Sequence, residues 1–202
     1  MSELIQPRTD PKTNRLEPQA KKVTIGLTNP KSPTNVGAVM RAAGCYQVDQ
    51  VFYTGKRYAI AAKHHKERLR TDTQNIHHSI PLKPIDNFIE LKGLVDNESS
   101  QAKIICVDLV EGATPLPFFN HPEQAVYIFG PEDGTIKQQV IDMADEVVYV
   151  PTIGCMNLAA TVNVLLYDRL AKSLQLEENA QQADNELIRQ SRDTNNKVKV
   201  KN

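Results

Sequence analysis

Asn35 and Arg41 bracket a small apolar run, Val36-Gly37-Ala38-Val39-Met40, and a carboxylate, Glu132, sits in the turn-like stretch "YIFGPEDG". An amide orients a hydroxyl or a guanidinium; a guanidinium grips an anion or steadies a forming oxyanion; a carboxylate holds a guanidinium in place. A second amide, Asn157, stands just before a segment whose Leu158, Val162, Leu165, Leu166 and Tyr167 fall at helical spacing, so its side chain suits a helix start. Each feature also has a plain structural explanation. Asn35 or Thr34 serves as an N-cap while Arg41 pairs with a surface acid. Pro131-Glu132-Asp133-Gly134 is strong β-turn chemistry, and the stripe after Asn157 is core or subunit interface. Six residues along a helix amount to about 9 Å of rise and about 120° of offset, so Asn35 and Arg41 do not share a face. They converge only if Asn35 lies at or before the helix start and the long Arg41 side chain leans back towards it.

Positioning these groups falls to alternating apolar runs and helical patterns. Residues 23–28, 48–53, 103–108, 125–129 and 146–150 read as strands; about 35–44, 59–70, 84–92, 135–144 and 157–173 read as helices. Runs apolar almost throughout, such as "AVYIF", suit strands buried on both faces of a parallel sheet. The expected class is therefore α/β, a mostly parallel sheet with helices on both faces. Ligands in such sheets bind beyond the carboxyl ends of the strands, which singles out the loops after 28, 108, 129 and 150. Gly130 would let a ligand rest against backbone, Gly154 permits a tight bend, and Cys155 and Met156 stand where an adenine-sized ligand fits. There is no GxGxxG or GxxxxGK[ST], which disfavours a nucleotide held by its phosphates.

Residues 1–22 are expected to form a flexible arm, 23–173 the folded domain, and 174–202 a polar extension with a helix persisting to Leu187 before it frays. Lys plus Arg equal Asp plus Glu at 24 each, so overall charge does not announce a nucleic-acid partner. The stretch 56–70 does carry six basic residues against one Glu, either a phosphate-following patch or a solvated helix face. No apolar stretch is long enough to span a membrane, and the opening residues lack the apolar core of a secretory signal. Three widely spaced cysteines fit a reduced, cytoplasmic setting. His64-His65 and His77-His78 lack the i, i+4 spacing of helical metal ligands, His121 precedes a proline, and no metal is expected.

Taken in order, three motifs resemble those of the SpoU (TrmH-type) RNA 2′-O-ribose methyltransferases of the SPOUT class. Asn35-Val-Gly37-Ala-Val-Met-Arg41 matches the first, Phe129-Gly130-Pro131-Glu132 the second, and Asn157-Leu158 opening a long helix the third. The resemblance covers 23 to about 173. It implies a deep C-terminal trefoil knot, S-adenosyl-L-methionine as methyl donor, a homodimer with an active site drawn from both subunits, and a transfer or ribosomal RNA substrate. It also implies catalytic roles for Arg41, Asn35, Glu132 and Asn157, and a donor pocket at Leu109, Gly130, Val150, Cys155 and Met156. Glu132 is expected to hold the Arg41 guanidinium. Around the third motif the family reads Ser-Leu-Asn-Val-Ser; here Cys155-Met156-Asn157-Leu158-Ala159 lacks both serines, and the segment from Pro151 is shorter. That departure sustains a second reading, an RNA-binding protein without turnover. A third, methylation of a base nitrogen, is disfavoured by the first motif.

Overall fold

All five apolar runs become strands of one seven-stranded, wholly parallel sheet. The computed structural model describes residues 22–64, 80–91, 102–175, 185–193 and 195–200. The strands are β1 (Val23–Leu27), β2 (Gln50–Tyr53), β3 (Leu82–Pro84), β4 (Lys103–Val107), β5 (Thr114–Pro115), β6 (Ala125–Phe129) and β7 (Glu146–Tyr149), in the order β3-β2-β1-β6-β4-β7-β5. The register places Leu27 beside Phe129, and Phe129 beside Val107. Three strands thus end level, and their exit loops start from one line.

The sheet is buried on both faces, as its continuous apolar runs require. On one side Ile25, Leu27, Ile105, Val107, Tyr127 and Phe129 meet α1 (Pro33–Cys45) and α4 (Leu158–Gln175). On the other, Ile104, Cys106, Val126 and Ile128 meet Phe52, Phe88 and Ile136, with α3 (Gln138–Asp142) against them. Burial pushes the Cys106 thiol up to about 12, so it is an inert core thiol.

Several boundaries differ from the sequence expectation. β3 and β5 were not foreseen: both are short edge strands containing a proline, which carry little strand pattern. The helix expected at 84–92 instead opens with the end of β3, and helical residues begin at 89, capped by Asn87 Oδ1 accepting from Ile89 N at 3.0 Å. The helix expected at 135–144 contracts to α3. The basic run forms α2 (Arg57–His64), while its 65–70 portion and the arm at 1–21 lie outside the described residues. In the C-terminal extension α5 spans Asn185–Ser191, a stretch that includes Leu187.

The far half of α4 is fastened by a polar network that no sequence pattern announced. Arg169 donates to Pro122 O at 2.6 Å, Glu123 O at 2.7 Å and the Tyr127 hydroxyl at 2.9 Å. Lys172 donates to Leu116 O and Phe119 O, and pairs with Asp168 at 2.7 Å. His121 completes it, its Nδ1 2.7 Å from the Tyr127 oxygen and its Nε2 2.9 Å from Asp168 Oδ2. Because a carboxylate only accepts, Nε2 carries a proton, and in the neutral ring Nδ1 then accepts from the tyrosine hydroxyl. Burial is the main cause that lowers the His121 pKa, with Arg169 and Lys172 adding to it against the pull of Asp168.

Candidate active site

Helix α1 starts earlier than its sequence suggests. Ser32 is the N-cap, its Oγ accepting from Asn35 N at 3.3 Å, and Pro33 takes the first helical position. Asn35 therefore lies within the first turn rather than before it, and the angular offset to Arg41 applies in full. Asn35 faces inward over the sheet edge. Arg41 is exposed on another face of α1, beside exposed Thr34, Ala38 and Cys45, and makes no hydrogen bond or ion pair with the described residues.

The loop leaving β6 meets Asn35. Glu132 Oε1 accepts from Asn35 Nδ2 at 3.3 Å and from Ser32 N at 3.1 Å; Oε2 accepts from Lys31 N at 2.8 Å. Partial burial alone would raise the Glu132 pKa, but the Lys31, Ser32 and Asn35 donors outweigh it and hold the carboxyl below its ordinary value. The expected Glu132–Arg41 pairing is thus replaced by a bond to the first motif's amide and backbone. The reason is geometric: the carboxylate reaches the amino end of α1, while Arg41 stands two turns along on another face. Asp133 instead takes an arginine, Arg57 of α2, through two bonds at 2.7 and 2.9 Å.

Beyond β7 the chain turns at Gly154, whose φ of +85° places it in the left-handed region, and Thr152 Oγ1 donates to Gly154 O at 3.0 Å. Asn157 then caps α4, its Oδ1 accepting from Ala160 N at 2.8 Å, as its position before the apolar stripe predicted. Of that stripe, Leu158, Val162, Leu165 and Leu166 are buried, whereas Tyr167 is exposed.

These loops surround a cavity of about 420 Å³ at the carboxyl ends of β4, β6 and β7. Asn35, Glu132 and Asn157 line it, and so do Leu109, Gly130, Val150, Cys155 and Met156. Arg41 does not. The volume falls in the range that holds a nucleoside-sized molecule, and the walls are mostly apolar and backbone, without a phosphate cradle. Asp108, Tyr149, Thr152 and Thr161 also line it and were not singled out from sequence. Asp108 carried a readable signal, a carboxylate directly after an apolar strand in "KIICVD". Its Oδ2 accepts from Ile136 N and its Oδ1 from Leu109 N, both at 2.8 Å, so it ties the β4 and β6 exits together. Gly130 is required there, because a Cβ would collide with that carboxylate, 2.8 Å from its Cγ. Among the described residues no three His, Cys, Asp or Glu gather to hold a metal ion, and no helix is long and apolar enough to cross a membrane.

The arrangement matches known proteins. Residues 22–167 match the model of the SpoU rRNA Methylase family. An rRNA methyltransferase from Sinorhizobium meliloti superposes with a TM-score of 0.60 at 15% identity, over 77% of this chain and 57% of that one. The SpoU methyltransferase AviRb from Streptomyces viridochromogenes, in complex with AdoMet, gives 0.65 at 16%, over 82% and 63%. The TrmH/SpoU tRNA modifying enzyme of A. aeolicus gives 0.61 at 16%, over 84% and 85%. This chain thus spans less than two thirds of the first two and most of the third. No curated protein matches the chain by sequence. The fold is that of the SPOUT methyltransferases, and the chain belongs to the SpoU rRNA Methylase family.

Proposed function

We propose that this chain is an S-adenosyl-L-methionine-dependent RNA methyltransferase acting on a ribose 2′-hydroxyl of transfer or ribosomal RNA. It works in the cytoplasm as a homodimer, with its C-terminal segment threaded as a trefoil knot. The observation that carries this reading is the convergence of Asn35, Glu132 and Asn157, from three distant loops, on one nucleoside-sized cavity within the family match.

The cavity residues fit the donor: Gly130 and the backbone around Val150, Cys155 and Met156 offer close approach and hydrogen bonds without side-chain chemistry, so the absent serines cost few contacts. When bound, S-adenosylmethionine supplies a methyl carbon made electrophilic by its sulfonium. That carbon would serve as the electrophile for a ribose oxygen whose hydroxyl proton leaves to solvent. This chain's task is to hold the hydroxyl in line and stabilise negative charge developing on its oxygen. Asn35 orients the ribose, and Glu132 fixes Asn35 rather than an arginine. Asn157 closes the pocket at the start of α4.

Arg41 is the cationic member of the set, and its exposure is what supports the dimer. It reaches the cavity of a second subunit, gripping the phosphate beside the target and stabilising the oxyanion, since a guanidinium surrenders its proton too reluctantly to act as base. The faces to be covered are apolar: Val164, Tyr167 and Leu170 on α4 and Ile153 in the third loop are all exposed.

Titration with S-adenosylmethionine by calorimetry, followed by nucleoside mass spectrometry of RNA reacted with the purified protein, tests this. Micromolar-range donor binding and a 2′-O-methyl nucleoside are expected. A chain that binds no donor even with RNA present is a non-catalytic RNA-binding protein, and a base-methylated product would move the chemistry to a ring nitrogen.

A further inference from the structure

The two carboxylates after Pro131 are used in opposite ways. Glu132 is fixed by three N–H donors, two of them backbone. Asp133 turns away from the cavity and receives the planar fork of Arg57 through both terminal nitrogens, with the Lys31 ammonium 3.8 Å off. The Asp133 side chain is 51% exposed and that of Arg57 32%. An ion pair this open to water contributes little to folding. Nor does the loop need it, because Glu132 and Asp108 already anchor the segment on both sides.

A carboxylate in an arginine fork has the charge and the paired-oxygen geometry of a phosphodiester. Lys31, Lys56 and Arg57 all follow the carboxyl ends of β1 and β2, the edge of the sheet on which the cavity opens, and Lys56 is exposed. Gly55 fixes their spacing: at φ +75° it packs against the Asn29 side chain, and Asn29 N donates to Thr54 Oγ1 at 3.1 Å, joining the two loops. The two loops that carry these cations are therefore tied to one another, while Asp133 between them stands half exposed to solvent.

We propose that Arg57 and Lys31 form a phosphodiester-binding subsite for the RNA substrate, which Asp133 occupies until an RNA phosphate displaces it. This rests on the RNA-methyltransferase reading. Asp133 acts as a built-in competitor that lowers affinity for RNA in general and leaves net gain only to molecules that place a phosphate on the rim. Glu132 keeps its own donors when Asp133 is displaced, so the cavity wall is unchanged by the exchange.

The test is fluorescence anisotropy of the full-length protein with labelled, unfractionated transfer RNA and ribosomal RNA, for the parent, Asp133→Asn, Arg57→Gln and the double variant across a salt series. Asp133→Asn is expected to bind RNA several-fold more tightly. Arg57→Gln is expected to bind several-fold more weakly, with a salt slope shallower by about 0.7 to 0.9. The gain from Asp133→Asn should largely vanish in the Arg57→Gln background, and calorimetric donor affinity should be the same in all four. Weakening by both single changes, as a merely structural pair would give, overturns the inference. So does an Asp133→Asn gain that persists undiminished without Arg57, which would mark a general charge effect. A parent that binds neither RNA nor donor overturns the methyltransferase reading along with it.

Discussion

The Glu132 carboxylate and the Asn35 amide, 97 residues apart in the chain, meet at 3.3 Å at the edge of the sheet, and the same carboxylate binds the two backbone N–H groups of Lys31 and Ser32. That contact welds the first and second motifs into one wall. Replacing Glu132 by Ala leaves the Lys31 and Ser32 donors without their anion. After discounting for partial exposure to solvent, the expected loss is about 1–2 kcal/mol of folding stability, read by urea denaturation. Because the Glu132 carboxyl titrates below its ordinary value in the folded chain, its contribution is complete above the unfolded value and lost as pH falls through the folded one. The difference in stability between parent and Glu132→Ala should therefore shrink in acid.

Arg41→Ala is expected to abolish methylation while leaving donor affinity and melting temperature nearly unchanged, since the side chain is exposed and makes no hydrogen bond or ion pair with the described residues. Arg41→Lys keeps the charge and loses the fork. Substantial activity in that variant, measured by methyl incorporation into RNA, would favour simple electrostatics over bidentate gripping.

Gly130→Ala forces a Cβ against the Asp108 carboxylate and strains the bonds that hold Ile136 N and Leu109 N. Donor affinity should fall by on the order of tenfold, about 1.4 kcal/mol, in a calorimetric titration. Unchanged affinity would mean that the β6 exit does not touch the donor.

His121 makes the fold sensitive to mild acid. Its pKa is lowered in the folded chain, chiefly by burial, so below about 6.5 the unfolded chain takes up the proton first. Stability should thus be full above that pH and decline as pH drops towards the folded value. Protonation also turns Nδ1 into a donor facing a tyrosine hydroxyl that already donates to it. In His121→Gln this component of the pH dependence between 7 and 5, followed by thermal melting, should be flattened.

Tyr167→Asp places a charge in the exposed apolar face of α4 between Val164 and Leu170. Sedimentation velocity is expected to show a dimer for the parent and a monomer for the variant, with methylation lost in parallel. A parent that sediments as a monomer at micromolar concentration would remove the shared active site.

The parallel sheet, its two buried faces and the three chemical loops were legible from residue order, because strand burial, turn chemistry and helix capping act over a few neighbours. "AVYIF" reads as a doubly buried strand wherever it is placed, and Asn157 before its stripe reads as a cap. The short edge strands at Leu82–Pro84 and Thr114–Pro115 were not legible, since their pairing comes from the neighbouring strand rather than from their own composition. Partnership was the larger gap. That Glu132 would choose Asn35 over Arg41, that Asp133 would take Arg57, and that Asp108 would forbid a side chain at 130 all follow from which strand ends lie level. Such distances are set by packing between segments far apart in the chain, and no local pattern encodes them. Even the separation of Asn35 from Arg41 hung on Ser32 starting the helix, which puts Asn35 inside the first turn and keeps the full angular offset between them.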